Sequence, residues 1–437
     1  MNNSMDAQVR LRRPDRAQVT MRVECDEQLI PQVHQARVIW SVVEKLDLSA
    51  FHEPIKARDG VCGRDATDPK LLVALWLYAA TRGVGSAREL GRLCVESRPY
   101  RWLCGGVTLN HHSLSDFRVG HAAALDELFT QVLAALVDQG LVKVRRISQD
   151  GTRVRAAAGA SSFRRGQRLE QLLDQAKAHM AQLRSLLDDP EKSAGLSAKK
   201  KAAKLRAARD RQDRIEAAIA VLPQIKAKQQ AAAKQAGNGK YGRKLKDNQP
   251  RVSTTDPEAR VMKLPDGGFA PAVNVQLAMD TQSRAIIGVD VCSAGSDKGQ
   301  AEPMRKQVED RTGLKVQEHL INGGFLILDE IDRAAEAGVT IFAPPPAPRD
   351  PSKAGTQYIP KTTDSPAQAQ WRERMGTETA QAIYKERAAT SETGNADLKQ
   401  HRGLVQLTVR GLAKGKCVAL WCALAYNLMH FGLALLG

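Results

Sequence analysis

Three short stretches, far apart in the chain, carry side chains able to hold a metal ion or a phosphate. The first is Gln149-Asp150-Gly151-Thr152, one carboxylate following a run of interleaved apolar and basic residues at 141–147. The second is Leu320-Ile321-Asn322-Gly323-Gly324-Phe325, an amide and two glycines closing an apolar segment. The third holds Tyr384, Arg387, Glu392 and Lys399. Helical spacing there sets Tyr384, Ala388, Glu392 and Lys399 on one face with Arg387 beside them. Hard divalent ions prefer oxygen ligands, carboxylates above all, and Arg and Lys hold phosphates. Each stretch also has an ordinary reading. Asp-Gly is a hairpin-turn signal, and a carboxylate flanked by Arg and Lys on a helix is commonly an exposed ion-pair array. His111-His112 has no Cys or carboxylate at metal-ligand spacing around it.

The elements that must position these residues follow from periodicity. Alternation predicts a strand at 141–147, a turn at 149–152 and a short returning strand at 153–158. Further strands are expected at 269–279, 284–291, 318–321 and 339–343, with helices near 299–313, 327–337 and 377–400 and an apolar closing helix at 413–437. That order is an α/β signature. The first 140 residues instead read as helices. Apolar residues recur at helical period over 31–48. Asp68-Pro69 starts a helix that Gly83 stops, Ser86 opens the next, and Ser113 opens a long one to about Gly140. The pair 86–97 and 113–138 has two readings. One is a helix-turn-helix variant, with Ser113, Ser115, Arg118 and His121 facing phosphates or bases; the other is an ordinary helical bundle.

Charge points to the partner. The chain has 437 residues, long enough for two or three domains, with 65 Lys and Arg against 48 Asp and Glu, a net +17. Such an excess implies a polyanion, nucleic acid being the usual one. Residues 161–250 hold 21 Lys and Arg against 9 Asp and Glu, a local surplus of 12. Leu169, Leu172, Leu173, Leu183, Leu186 and Leu187 mark one amphipathic helix there. A Lys/Arg/Ala-rich helix follows, and residues 237–250 form a basic link, so a helical hairpin is expected. No apolar run reaches the roughly 18 residues of a membrane span, and the N-terminus shows no secretory h-region. Seven scattered cysteines without a CxxC pair suit a reducing cytoplasm.

Taken together, the order and spacing of the motifs resemble the bacterial DDE-type insertion-sequence transposases with a Tyr/Arg/Glu/Lys signature. The resemblance runs over nearly the whole chain. It is carried by DPKLLVALWLYAATRGVGSARELGRLC, RWLCGG, SQDGTRVRAAA, STTDPEARVM, GGFAPAVNVQLAMD, LINGGF, the Tyr384-to-Lys399 stretch, and RGLAKGK with ALAYNLM. It implies a ribonuclease H-like mixed sheet with a basic helical insertion (161–250), preceded by an all-helical domain (1–140). The catalytic domain would span 141–437. It implies Mg²⁺-dependent strand cleavage and transfer, with two ions and Mn²⁺ as a substitute. Asp150 and Glu392 would be metal ligands, and Tyr384, Arg387 and Lys399 would position DNA. The partners would be terminal inverted repeats and target DNA, bound by a homo-oligomer in the cytoplasm at the nucleoid, with no membrane. The second catalytic position departs from the family, because Asn322 stands where relatives have Asp. Val273 and Thr393-Gly394 depart too, a helical Gly costing about 1 kcal/mol relative to Ala, so a worn copy is expected. The competing expectation is a non-catalytic DNA-binding protein derived from a transposase. A general ribonuclease H-like nuclease fits the N-terminal motifs less well.

Overall fold

The structure, a computed structural model, describes residues 16–436 apart from 18, 20, 22, 58, 59, 61, 63, 238, 240–242 and 244–246. Part of the basic link expected at 237–250, and the residues before Arg16, lie outside the described residues. The N-terminal part is helical: α1 (Gln35–Lys45), α2 (Ser49–His52), α3 (Pro69–Thr81), α4 (Ala87–Glu96), α5 (Arg98–Cys104), α6 (His111–Gly120) and α7 (Ala122–Asp138). The Asp68 side chain accepts the Lys70 N–H, and Pro69 opens α3 as expected. Every residue of α3 except Lys70 is buried, as a helix apolar all round must be. The long helix expected from Ser113 is two helices. Asn110 caps α6, and the chain leaves helical geometry at His121. There the imidazole packs between Phe51 and Phe117, ring centroids 5.6 and 4.9 Å away.

A mixed sheet follows, in strand order β4-β5-β1-β7-β8 with β6 also paired to β5. β1 (Arg146–Arg155) runs antiparallel to β5 (Phe269–Asp280) and parallel to β7 (Glu318–Leu320). β7 in turn pairs in parallel with β8 (Thr340–Phe342), while β4 (Arg260–Lys263) and β6 (Ile286–Cys292) complete it. The expected turn at 149–152 is overturned. β1 passes straight through Asp150 and Gly151, which pair with Leu277 and Gln276. A partner strand more than a hundred residues away outweighs the local Asp-Gly preference, as tertiary context routinely does.

The insertion leaves the sheet through a ribbon of two short strands, β2 (Phe163–Arg165) and β3 (Arg251–Ser253), which the sequence did not suggest. Beyond it lie α8 (Gly166–Asp188), α9 (Pro190–Ser193) and α10 (Ala198–Ala236), with α8 and α10 packed along each other. One sheet face is covered by α11 (Ala301–Thr312); a Cβ at Gly288 would stand 2.5 Å from Met304 Sδ of that helix. After α12 (Leu328–Glu336), α13 (Pro366–Met375) and α14 (Glu378–Arg387) comes a π turn (Ala388–Glu392) that runs into α15 (Thr393–Gln400). Gly394 packs closely on β5. A Cβ there would meet Met279 Sδ of β5 at 2.3 Å. The closing helix, α16 (Leu412–Phe431), packs on β6, α3 and α7. Its buried Asn427 accepts the Ile286 N–H at 2.9 Å and donates to the Ile286 carbonyl at 2.8 Å. One apolar core therefore runs from Leu29 through the sheet to Leu435.

Candidate active site

β1 presents Asp150 on the face covered by the π turn and α15. Ser148, two residues earlier on that face, shares a hydrogen bond with Ser391 of the π turn, which ties the two together. Asp150 Oδ1 accepts the Asn322 amide at 2.9 Å and the Gly151 backbone N–H at 3.0 Å. Its Oδ2 accepts the Asn395 amide at 3.2 Å and faces Arg387 Nη1 at 3.8 Å. Asn322 follows β7, and its own Oδ1 accepts the Gly324 N–H at 2.7 Å. That bond fixes which end of the amide meets Asp150.

Arg387 reaches both acids, because its Nη2 donates to Glu392 Oε1 at 3.2 Å. Glu392 itself points outward, its side chain 63 % exposed against 17 % for Asp150. The Arg387 guanidinium also lies 5.8 Å from the Tyr384 ring centroid. Arg146 braces the arrangement, bridging Glu318 of β7 and Glu386 of α14. Burial pushes the Asp150 carboxyl above the usual range, while Arg387 and the bonds from Gly151 and Asn322 pull it back. Burial lowers the Lys399 ammonium, and Asp150 opposes that shift. Tyr384 is raised by burial. The buried charges are thus compensated in place rather than free.

Two residues escaped the sequence reading. Asn395 lies three positions after Glu392, a helical-turn spacing that could have flagged it. Asp297, in a loop without periodicity, gave no signal. It is buried on the opposite sheet face, accepting from Asn274 and Gln276 at 2.7 Å each and from Arg153 at 3.1 Å. Of the N-terminal residues read as facing DNA, Arg118 and His121 are corrected. Arg118 donates to the Gly85 carbonyl and to Thr408, and its guanidinium stacks over Trp76 at 5.0 Å. Both side chains are packing groups, whereas Ser113 and Ser115 are exposed.

Residues 24–120 match the family described as Transposase domain (DUF772), and residues 348–431 match the one described as Transposase DDE domain. Both matches are to transposase families, and together they are consistent with an insertion-sequence DDE transposase. The second match contains Tyr384, Arg387, Glu392 and Lys399, while Asp150 and Asn322 lie outside both. No curated protein and no solved structure matches the chain. No described helix is long and apolar enough to cross a membrane.

A DDE domain implies divalent-metal dependence in general. The groups around Asp150 do not fit a pair of such ions. Its neighbours within hydrogen-bonding or ion-pairing distance are two amide NH₂ groups, a backbone N–H and a guanidinium, all donors. Among the described residues no three His, Cys, Asp or Glu side chains group to hold an ion.

Proposed function

We propose that this transposase binds the terminal inverted repeats of an insertion sequence, as a homo-oligomer on the DNA, and that its native sequence cleaves strands poorly. The meeting of Asp150 with Asn322 and with the segment 387–399 carries the reading. It supports Asp150, Asn322 and Glu392 as the three positions of the catalytic motif, in a ribonuclease H-like arrangement of the mixed sheet. Tyr384, Arg387 and Lys399 would border the strand being cut. Arg387 and Lys399 add positive charge for a phosphate, and the basic insertion 161–250 adds long-range attraction.

The family's reaction calls for two ions, Mg²⁺ or Mn²⁺ in its place, to stabilise the attacking and departing oxygens. Asn322 contributes one neutral carbonyl oxygen where a carboxylate would carry charge. A non-catalytic DNA-binding protein is the second reading, and the same Asn322 favours it. The two separate in a nicking assay on a cognate end in Mg²⁺, native chain against Asn322→Asp, with intact mass showing that Asn322 has not deamidated. Nicking that rises at least about tenfold in Asn322→Asp supports a site disabled at one position, since one lost ligand charge weakens ion binding. Equal, fast nicking by the native chain would sink the assignment of Asn322, and no nicking by either favours the second reading.

A further inference from the structure

We propose that Asn322 and Asn395 form an amide clamp that takes the place of a cation on Asp150, so that the native pocket does not load a divalent ion. A carboxylate offers about four lone-pair positions. Here Oδ1 meets Asn322 and Gly151, and Oδ2 meets Asn395 and Arg387. A cation arriving at Asp150 finds the positive ends of N–H bonds where it needs oxygen.

The Asn322 amide cannot simply turn over. Reversing Asn322 would set its oxygen against Asp150 and its NH₂ against the Gly324 N–H that now bonds it at 2.7 Å. Gly324 itself permits that bond: a Cβ there would lie 2.7 Å from Asn322 Oδ1. Asn395 is placed by the π turn, which is anchored to β1 through Ser148 and Ser391. Charge acts in the same direction. Arg387 already serves both Asp150 and Glu392, so the pair of acids shares one guanidinium. Substituting Asp at position 322 reverses the situation. Two carboxylate oxygens would then face each other at the present donor–acceptor distance, a repulsion that a cation between them relieves. One residue therefore separates a clamp closed by hydrogen bonds from a pocket closed by metal.

The inference rests on the reading of Asp150 as a motif acid, but it is tested without DNA. The full chain, first stripped with a chelator, is titrated with Mn²⁺ alone and followed by thermal melting and by the loss of free-Mn²⁺ paramagnetic signal. The native chain should show no saturable binding at this pocket. Asn322→Asp should melt lower in chelator than the native chain. It should recover with Mn²⁺ and bind it on the order of 10–100-fold more tightly, the range by which groups around a metal change its affinity. Saturable Mn²⁺ binding by the native chain that Asp150→Asn abolishes would overturn the clamp, and the native titration decides this even if Asn322→Asp does not fold. A folded Asn322→Asp chain indifferent to Mn²⁺ would overturn it as well. Failure to bind terminal repeats, by contrast, would count against the proposed function and leave the clamp standing.

Discussion

Asp150 and Gly151 are neighbours on β1 and face opposite sides of the sheet. Gly151 points to the opposite sheet face, where a Cβ would stand 2.2 Å from Asp297 Oδ1, 2.4 Å from Gln276 Nε2 and 2.9 Å from Asn274 Oδ1. The requirement is space, since those groups form a buried hydrogen-bonded cluster around the Asp297 carboxylate. Gly151→Ala should therefore destabilise the fold by about 1–3 kcal/mol, the usual cost of inserting a methyl into a packed interior. The urea midpoint of the variant measures it. An unchanged midpoint would mean that the Asp297 cluster is loose enough to move aside. The same cluster explains why Asp-Gly here is not a turn: its glycine is used for close approach between a strand and a buried carboxylate.

Elements decide which residues share a face. Two turns of a straight α-helix take about seven residues, and a π turn, bonded i to i+5, takes about one more. Arg387 and Asn395 are eight apart, so the π turn at Ala388–Glu392 brings both onto Asp150. A straight helix over 377–400 would have aligned Arg387 with Gly394 instead. The insertion shows the same economy of elements. Arg165 and Arg251 are paired across β2 and β3, so the helical hairpin occupies the place of a simple β-turn. Replacing residues 166–250 by a two-residue Asn-Gly turn should preserve the sheet. It should also flatten the dependence of log K for DNA on log salt, by about 0.9 for each phosphate contact removed. An unchanged slope would show that the hairpin does not touch DNA.

At the scale of the whole molecule, one core joins the N-terminal helices, the sheet and α16, and acid tests it. His319 of β7 is fully buried, neither ring nitrogen having a hydrogen-bond partner, and Arg305, Glu330, Glu302 and Arg333 line the same small cavity. Burial holds His319 down at about 3 from its ordinary 6.5, with Arg305 adding to the shift. The unfolded chain protonates this imidazole first as pH falls, so the stability it contributes is full above pH 6.5 and drains away from 6.5 towards 3. His319→Leu should lose less stability than the native chain between pH 7 and pH 5, measured by urea midpoints at each pH. Equal losses would place the acid sensitivity elsewhere.

Much was legible in the residues alone, because the signals were local or long and periodic. Asp68-Pro69 announced α3, the apolar closing stretch announced the buried α16, and strands β5 to β8 fell close to where the short apolar segments set them. The order of short motifs was enough to point to a transposase, and two family matches agree. Local signals failed where a distant partner intervened. Asp-Gly became mid-strand because β5 lay alongside, and the helix expected from Ser113 broke at His121 against Phe51 and Phe117. Arg118 turned inward onto Trp76. No spacing rule reveals that Asn322 and Asn395, far apart along the chain, both donate to one carboxylate. That depends on a π turn bonded to β1 and on a glycine that lets a backbone N–H orient an amide. The sequence determines which chemical groups are available. Only the folded chain decides that the groups around Asp150 are donors, since that depends on which atom of each amide faces the carboxylate.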